Sequence, residues 1–347
     1  MKPITLDKFS EMFLMGFIAS IVCITVLTYF ISMSLGIGLF FFTKDGLALS
    51  RLTLPNITIG VFIFFGFNVP VELTYGSFFI ILWVVYVFCF VASWRLRENF
   101  HHVVRASLQH PINLVLKNFL FTLPIITSIL FVLVVGIHSI QDAAGIPTGG
   151  ISYPDPYMAL FSLAYSPIVE EVAFRLSPIG AFLIFYVCLA GWRGAARLPL
   201  RWRVKLGFLA FLYPEEAKRT VRLRSIGEHG FFRGISKGEW VIVVLTSAFF
   251  GLAHFLSGSG WGPGKVTSAF IVGLALCMVY LAYGAHAPIL VHWFFNYYTK
   301  TFEIASEIYP SFFNILLDLV YLLSLTLGFL GLILFLAVKA RLLNIIS

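Results

Sequence analysis

Residues 12–42 read MFLMGFIASIVCITVLTYFISMSLGIGLFFF, thirty-one consecutive positions without a charged side chain. A hydrocarbon core about 30 Å thick is crossed by roughly 20 apolar residues in a helix. The stretch is therefore long enough to span a bilayer. Lys2 and Lys8 ahead of it resemble the start of a secretion signal, but the apolar core of a cleavable signal is only about 7–15 residues long. The stretch is expected to be an uncleaved first span.

Uncharged or nearly uncharged runs recur at Ser77 to Trp94, Asn118 to Ile140, Tyr157 to Trp192, Val241 to Leu256, Val266 to Ala285, His286 to Thr299 and Ile315 to Val338. With the first run they make eight. Ile57 to Asn68 is apolar but too short to cross, and Pro70 and Glu72 follow it, so a re-entrant or interfacial piece is expected there. Only 12% of the 347 residues are charged and 59% are hydrophobic, against about 25% charged in a soluble domain. The expected fold is all-α: a polytopic bundle of about eight transmembrane helices around an intramembrane polar cavity, with residues 1–347 forming one membrane domain.

The formal charge of +8 does not imply nucleic acid, because the basic residues lie between apolar runs rather than on one solvated face. They report topology instead. With a cytoplasmic N-terminus and one crossing per run, nineteen of the 24 Lys and Arg fall on inside segments, four (Lys44, Arg51, Lys265, Lys300) fall outside, and Arg175 lies within a run. That partition follows the positive-inside rule and predicts cytoplasmic termini. Residues 193–239, with Arg201, Arg203, Lys205, Arg219, Arg222 and Arg224 among Trp202, Phe208, Phe211 and Leu212, form a basic cytoplasmic insertion expected to rest on anionic headgroups. Two outer loops are turn-rich, one around Gly145 to Pro156 and the other from Gly258 to Gly264. Cys23, Cys89, Cys188 and Cys277 each stand alone in an apolar segment and read as packing residues.

Three runs carry polar groups that lipid does not tolerate without reason. Ser166 to Arg175 reads SPIVEEVAFR, and each charge there costs at least about 2.5 kcal/mol on insertion. On a helix Glu171 and Arg175 are i and i+4 with the acid first, the favourable order for an ion pair. Glu170 points about 100° away and stays available. A buried polar clamp between helices is the plain alternative. Phe249 to His254 reads FFGLAH, with Phe250 one turn before the histidine, and His292 to Asn296 reads HWFFN, imidazole and carboxamide one turn apart. Taken singly, each histidine reads as an interhelical hydrogen bonder. Together Glu170, His254, His292 and Asn296 make a set suited to hydrolysis: a carboxylate and an imidazole to take a proton from water, a second imidazole and an amide to meet an oxyanion. His138 and His286 are expected at the membrane interface.

These motifs, EExxxR, FxxxH and HxxxN in order on hydrophobic helices, resemble the CAAX protease and bacteriocin-processing family of intramembrane glutamic endopeptidases, which includes the type II CAAX prenyl proteases. The resemblance covers residues 157–299. It implies that Glu170 and His254 activate water, that His292 and Asn296 form the oxyanion hole, that Glu171 and Arg175 pair structurally beside the site-lining Phe250, and that no metal or other cofactor takes part. The implied partners are membrane lipid and a peptide or prenylated protein substrate. Two histidines and a glutamate also admit a zinc-dependent membrane protease, although HExxH is lacking. A non-catalytic scaffold or immunity protein of the same fold and a proton-coupled transporter complete the alternatives.

Overall fold

The computed structural model describes residues 6–63, 65–107, 116–193 and 200–346. In chain order the elements are α1 (Leu6–Phe42), α2 (Lys44–Ser50), β1 (Thr53–Val61), β2 (Phe65–Thr74), α3 (Tyr75–Arg95), α4 (Phe100–Ser107), α5 (Phe119–Ala143), α6 (Pro156–Glu171), α7 (Pro178–Arg193), α8 (Leu200–Leu212), α9 (Pro214–Thr220), α10 (Ile226–Gly234), α11 (Lys237–Leu256), α12 (Gly264–Tyr283), α13 (His286–Trp293), α14 (Thr299–Ile308) and α15 (Pro310–Ile346). A π turn, Val172–Leu176, joins α6 to α7, and a second, Phe294–Tyr298, joins α13 to α14.

Seven helices among the described residues are long and apolar enough to cross a membrane, the fourth running unbroken through the first π turn from Pro156 to Gly191. The protein is thus an all-α, multi-pass membrane protein. The expected eighth run, His286 to Thr299, is helical throughout and on to Ile308, but the second π turn splits it into pieces too short to count.

The chain divides into two compact units. The first comprises Met1–Ser50, Trp83–Gly136 and Trp293–Ser347. Aromatic packing dominates it: Tyr29 meets Tyr298 edge-on at 4.7 Å between ring centroids, and Trp293 meets Phe90 at 5.5 Å. Edge-to-face contact is the geometry the ring quadrupole favours. The buried Asn118 ties the unit's backbone together. Its Nδ2 donates to Ser93 O (3.0 Å) and Glu98 O (2.7 Å), and its Oδ1 accepts from Phe121 N (2.9 Å), capping α5.

The second unit comprises Arg51–Leu82 and Ile137–His292. Asp155 starts α6, accepting from Tyr157 N (2.9 Å) and Met158 N (2.8 Å), with Pro156 in the first turn. Ser236 and Glu239 form a reciprocal capping box at the start of α11. The core joins Leu176, Ile179 and Leu183 to Ala210, Val243, Cys277 and Tyr280.

Two stretches of this unit differ from expectation. Ile57 to Asn68 is not helical: it belongs to an antiparallel hairpin in which Thr53 pairs with Thr74 and Val61 with Phe65. Its tip docks midway along a candidate span, with Ile63 N donating to Ala173 O (3.1 Å) and Phe62 N to Ser177 Oγ (2.8 Å), while Tyr165 Oη donates to Thr58 O. The segment meets the middle of that span and is built from strands. Residues 193–239, of which 194–199 fall outside the described residues, fold as α8 to α10 rather than as a loop. Lys218 is buried there, its Nζ 2.8 Å from Glu239 Oε1 and donating to Gly234 O (2.6 Å), and Glu215 accepts from Ile226 N and Gly227 N. Trp202, Val204 and Phe208 on α8 remain exposed beside Arg201, Arg203 and Lys205.

Candidate active site

The first π turn begins directly after Glu170 and Glu171. A π turn places one extra residue in the coil, as the bond from Ser177 N to Val172 O records (3.0 Å), and such turns recur at functional sites because they re-aim the adjoining side chains. Glu171 is fully buried, whereas the Glu170 side chain is 30% exposed. The two neighbours on one helix therefore have unlike surroundings, as their angular separation requires.

Glu171 holds two partners through one oxygen. Arg175 Nη1 donates to Oε1 at 3.0 Å, and His292 Nδ1 donates to the same atom at 2.7 Å. A carboxylate oxygen only accepts, so the His292 proton sits on Nδ1. The other ring nitrogen, Nε2, stands 3.6 Å from Glu170 Oε2. His292 thus bridges the two glutamates. Arg175, also fully buried, lies with its guanidinium carbon 3.9 Å from the centroid of the Phe250 ring, a cation–π contact. Gly273 makes room for it: a Cβ there would stand 3.3 Å from Arg175 Nη2.

Phe250 also orders the imidazoles. Its ring meets His292 edge-on at 5.7 Å and His254 edge-on at 4.7 Å. His254 Nδ1 donates to Phe250 O (2.8 Å), which leaves Nε2 with its lone pair free to accept a proton. Among the described residues no group of three or more His, Cys, Asp and Glu side chains is arranged to hold a metal ion.

Of the expected site residues, Glu170, Glu171, Arg175, Phe250 and His292 meet directly, and His254 joins them through Phe250. Asn296 lies in the second π turn, which belongs to the first unit. Three residues to which the sequence assigned no part in the site adjoin the cluster. Trp261 lies 6.3 Å from the His254 ring, Lys265 Nζ lies 4.1 Å from Trp261, and Tyr153 lies within electrostatic reach of Glu170. Burial first, and the Glu170 charge second, hold the Tyr153 hydroxyl above the usual phenol range. The readable signal was a lysine directly after a glycine-rich turn. Of the two histidines outside the cluster, His138 has Nε2 2.8 Å from Ser268 Oγ, and His286 is buried.

Fold and site together define a multi-pass membrane protein with a carboxylate–imidazole cluster set within its helices. Residues 151–298 match the family model described as type II CAAX prenyl endopeptidase Rce1-like, so this segment is similar to the CAAX proteases. The match takes in all three motifs, and the activity of the class is that of an intramembrane protease. No curated protein and no solved structure matches the chain.

Proposed function

We propose that the protein is a glutamate-dependent intramembrane endopeptidase that removes the C-terminal tripeptide of prenylated, CAAX-type substrates. The observation that supports this best is the His292 ring set between two carboxylates, with Nδ1 2.7 Å from Glu171 and Nε2 3.6 Å from Glu170. One acid is buried and paired; the other is open to a reactant.

In this reading Glu170 and the free Nε2 of His254 draw a proton from water, whose oxygen attacks the scissile carbonyl carbon. His292 in its doubly protonated form donates from both nitrogens, to Glu171 and to the developing oxyanion, and the Asn296 carboxamide supplies the second donor. Collapse of the intermediate breaks the carbon–nitrogen bond, and the proton taken from water passes to the leaving amine. One water is consumed and no electrons are exchanged, so no redox partner or cofactor enters. Glu171, held by Arg175, keeps the imidazole in place.

The substrate reaches the site from the membrane, its lipid among the apolar helices, and both termini and residues 193–239 face the cytoplasm. The test is cleavage by purified protein of a farnesylated peptide and its unprenylated counterpart, with and without a strong chelator. Cleavage of the farnesylated peptide that survives chelation supports the reading. Reversible loss of activity with a stoichiometric zinc would make the protein a metalloprotease, and no cleavage at all would favour a scaffold or immunity role.

A further inference from the structure

The two glycine-rich loops are joined to each other by backbone. Gly150 N donates to Gly260 O (3.1 Å), Gly262 N to Thr148 O (2.7 Å) and Gly264 N to Pro147 O (3.1 Å), and Gly149 pairs with Trp261 as an isolated bridge. Side chains would prevent this. A Cβ on Gly149 would collide with Gly260 O, and one on Gly262 with Pro147 O. The zipper is therefore a rigid mount, and what it carries is Trp261 and, in the first turn of α12, Lys265.

From that mount a row of rings leads to the glutamates. Lys265 Nζ sits 4.1 Å from the Trp261 centroid, Trp261 is 6.3 Å from His254, His254 is 4.7 Å from Phe250, and Phe250 is 5.7 Å from His292. Lys265 and Glu170 lie within electrostatic reach of each other, and Tyr153, in the first loop, lies within reach of the same carboxylate. The other cation of the neighbourhood, Arg175, is bonded to Glu171. Lys265 has no ion-pair partner among the described residues; its ammonium rests on the face of Trp261. A lysine at the end of a membrane span, near a reactive site and with no carboxylate at salt-bridge distance among the described residues, is one whose close anion arrives with a ligand.

We propose that Lys265 receives the C-terminal carboxylate of the peptide substrate, and so sets how far from the chain end the bond is cut. The proposal rests on Glu170 as the group that activates water. An extended tripeptide spans about 10 Å, so a terminal carboxylate held at Lys265 would fix which carbonyl is presented to Glu170. The cation–π contact with Trp261 holds the ammonium in place for a charge-assisted bond to that carboxylate.

The test compares two farnesylated peptides, identical except that one ends in a free carboxylate and the other in a carboxamide, on the unsubstituted protein, Lys265→Met and Lys265→Arg. The unsubstituted protein should favour the acid by about ten- to a hundredfold in kcat/KM, the value of one charge-assisted hydrogen bond, mostly through KM. Lys265→Met should lose the preference and cut acid and amide at equal rates, and Lys265→Arg should retain the preference for the acid. Equal rates on acid and amide by the unsubstituted protein overturn the proposal. So does a Lys265→Met that slows both peptides in proportion, since the lysine would then serve only the fold. The reading of Glu170 fails in a different way, with neither peptide cut by any form, and Lys265 loses its assigned role with it.

Discussion

The Oε1 atom of Glu171 accepts from both Arg175 (3.0 Å) and His292 (2.7 Å), so the glutamate that helical spacing pairs with an arginine also fixes an imidazole from a distant part of the chain. Glu171→Gln should accordingly fail in two ways. Arg175, fully buried, would be left as an uncompensated charge, a loss of about 3 to 5 kcal/mol. His292 would lose its charged acceptor. Thermal unfolding in detergent should show a large drop in melting temperature alongside loss of activity. An unchanged melting temperature would contradict the buried-pair account.

Lys218 and Glu239 make a second buried pair at 2.8 Å, joining the basic segment to the start of α11. Lys218→Met should destabilise the protein by a similar 3 to 5 kcal/mol, whereas Arg203→Met, on the exposed face of α8, should change stability by less than about 0.5 kcal/mol. Equal, small effects would mean that the segment is not integrated with the helices it follows.

The glycine zipper predicts a contrast between close neighbours. Gly262→Ala places a methyl against Pro147 O and should cost about 1 to 3 kcal/mol. Nothing lies within 4 Å of a Cβ on Gly150, so Gly150→Ala should be close to neutral. Denaturation of the two variants side by side decides it, and identical stabilities would show that the loops are not held together.

Orientation is open to labelling. Phe232→Cys, at a position 87% exposed, should be shielded from a membrane-impermeant maleimide applied to intact cells and should react after permeabilisation, whereas Ile146→Cys, 42% exposed in the first glycine-rich loop, should react from outside. The reverse pattern would place the basic segment on the outer side.

The membrane class and the three motif helices could be read from the chain because lipid leaves a coarse record: long uncharged runs, basic residues between them, and a few ionisable groups that demand explanation. The Glu171–Arg175 pair followed from helical spacing alone. The bond from Glu171 to His292 did not, because spacing within one helix says nothing about which neighbour it meets. The two π turns were equally hidden, since neither VAFRL nor FFNYY carries a glycine or proline to mark an irregular turn. The hairpin did leave a trace: Ile57, Ile59 and Val61, then Phe65, Phe67 and Val69, alternate with smaller or polar residues at the period of a strand. Its turn passes through Phe62 and Ile63 at positive φ, with no glycine at the tip to announce it. Lys265 was read only as one of four outside charges, because its relation to Trp261 depends on two loops that meet in space.

The central claim is that Glu170 performs the chemistry while its neighbour supports the structure, and turnover by Glu170→Gln with its stability recorded tests this most directly. Glu170 is 30% exposed and is paired with no arginine or lysine at salt-bridge distance among the described residues, so the amide leaves no stranded charge. Folding should be nearly unchanged, while cleavage of a farnesylated peptide should fall by at least about a hundredfold, the usual worth of general-base assistance. A folded Glu170→Gln protein that cleaves at the unsubstituted rate would contradict the account.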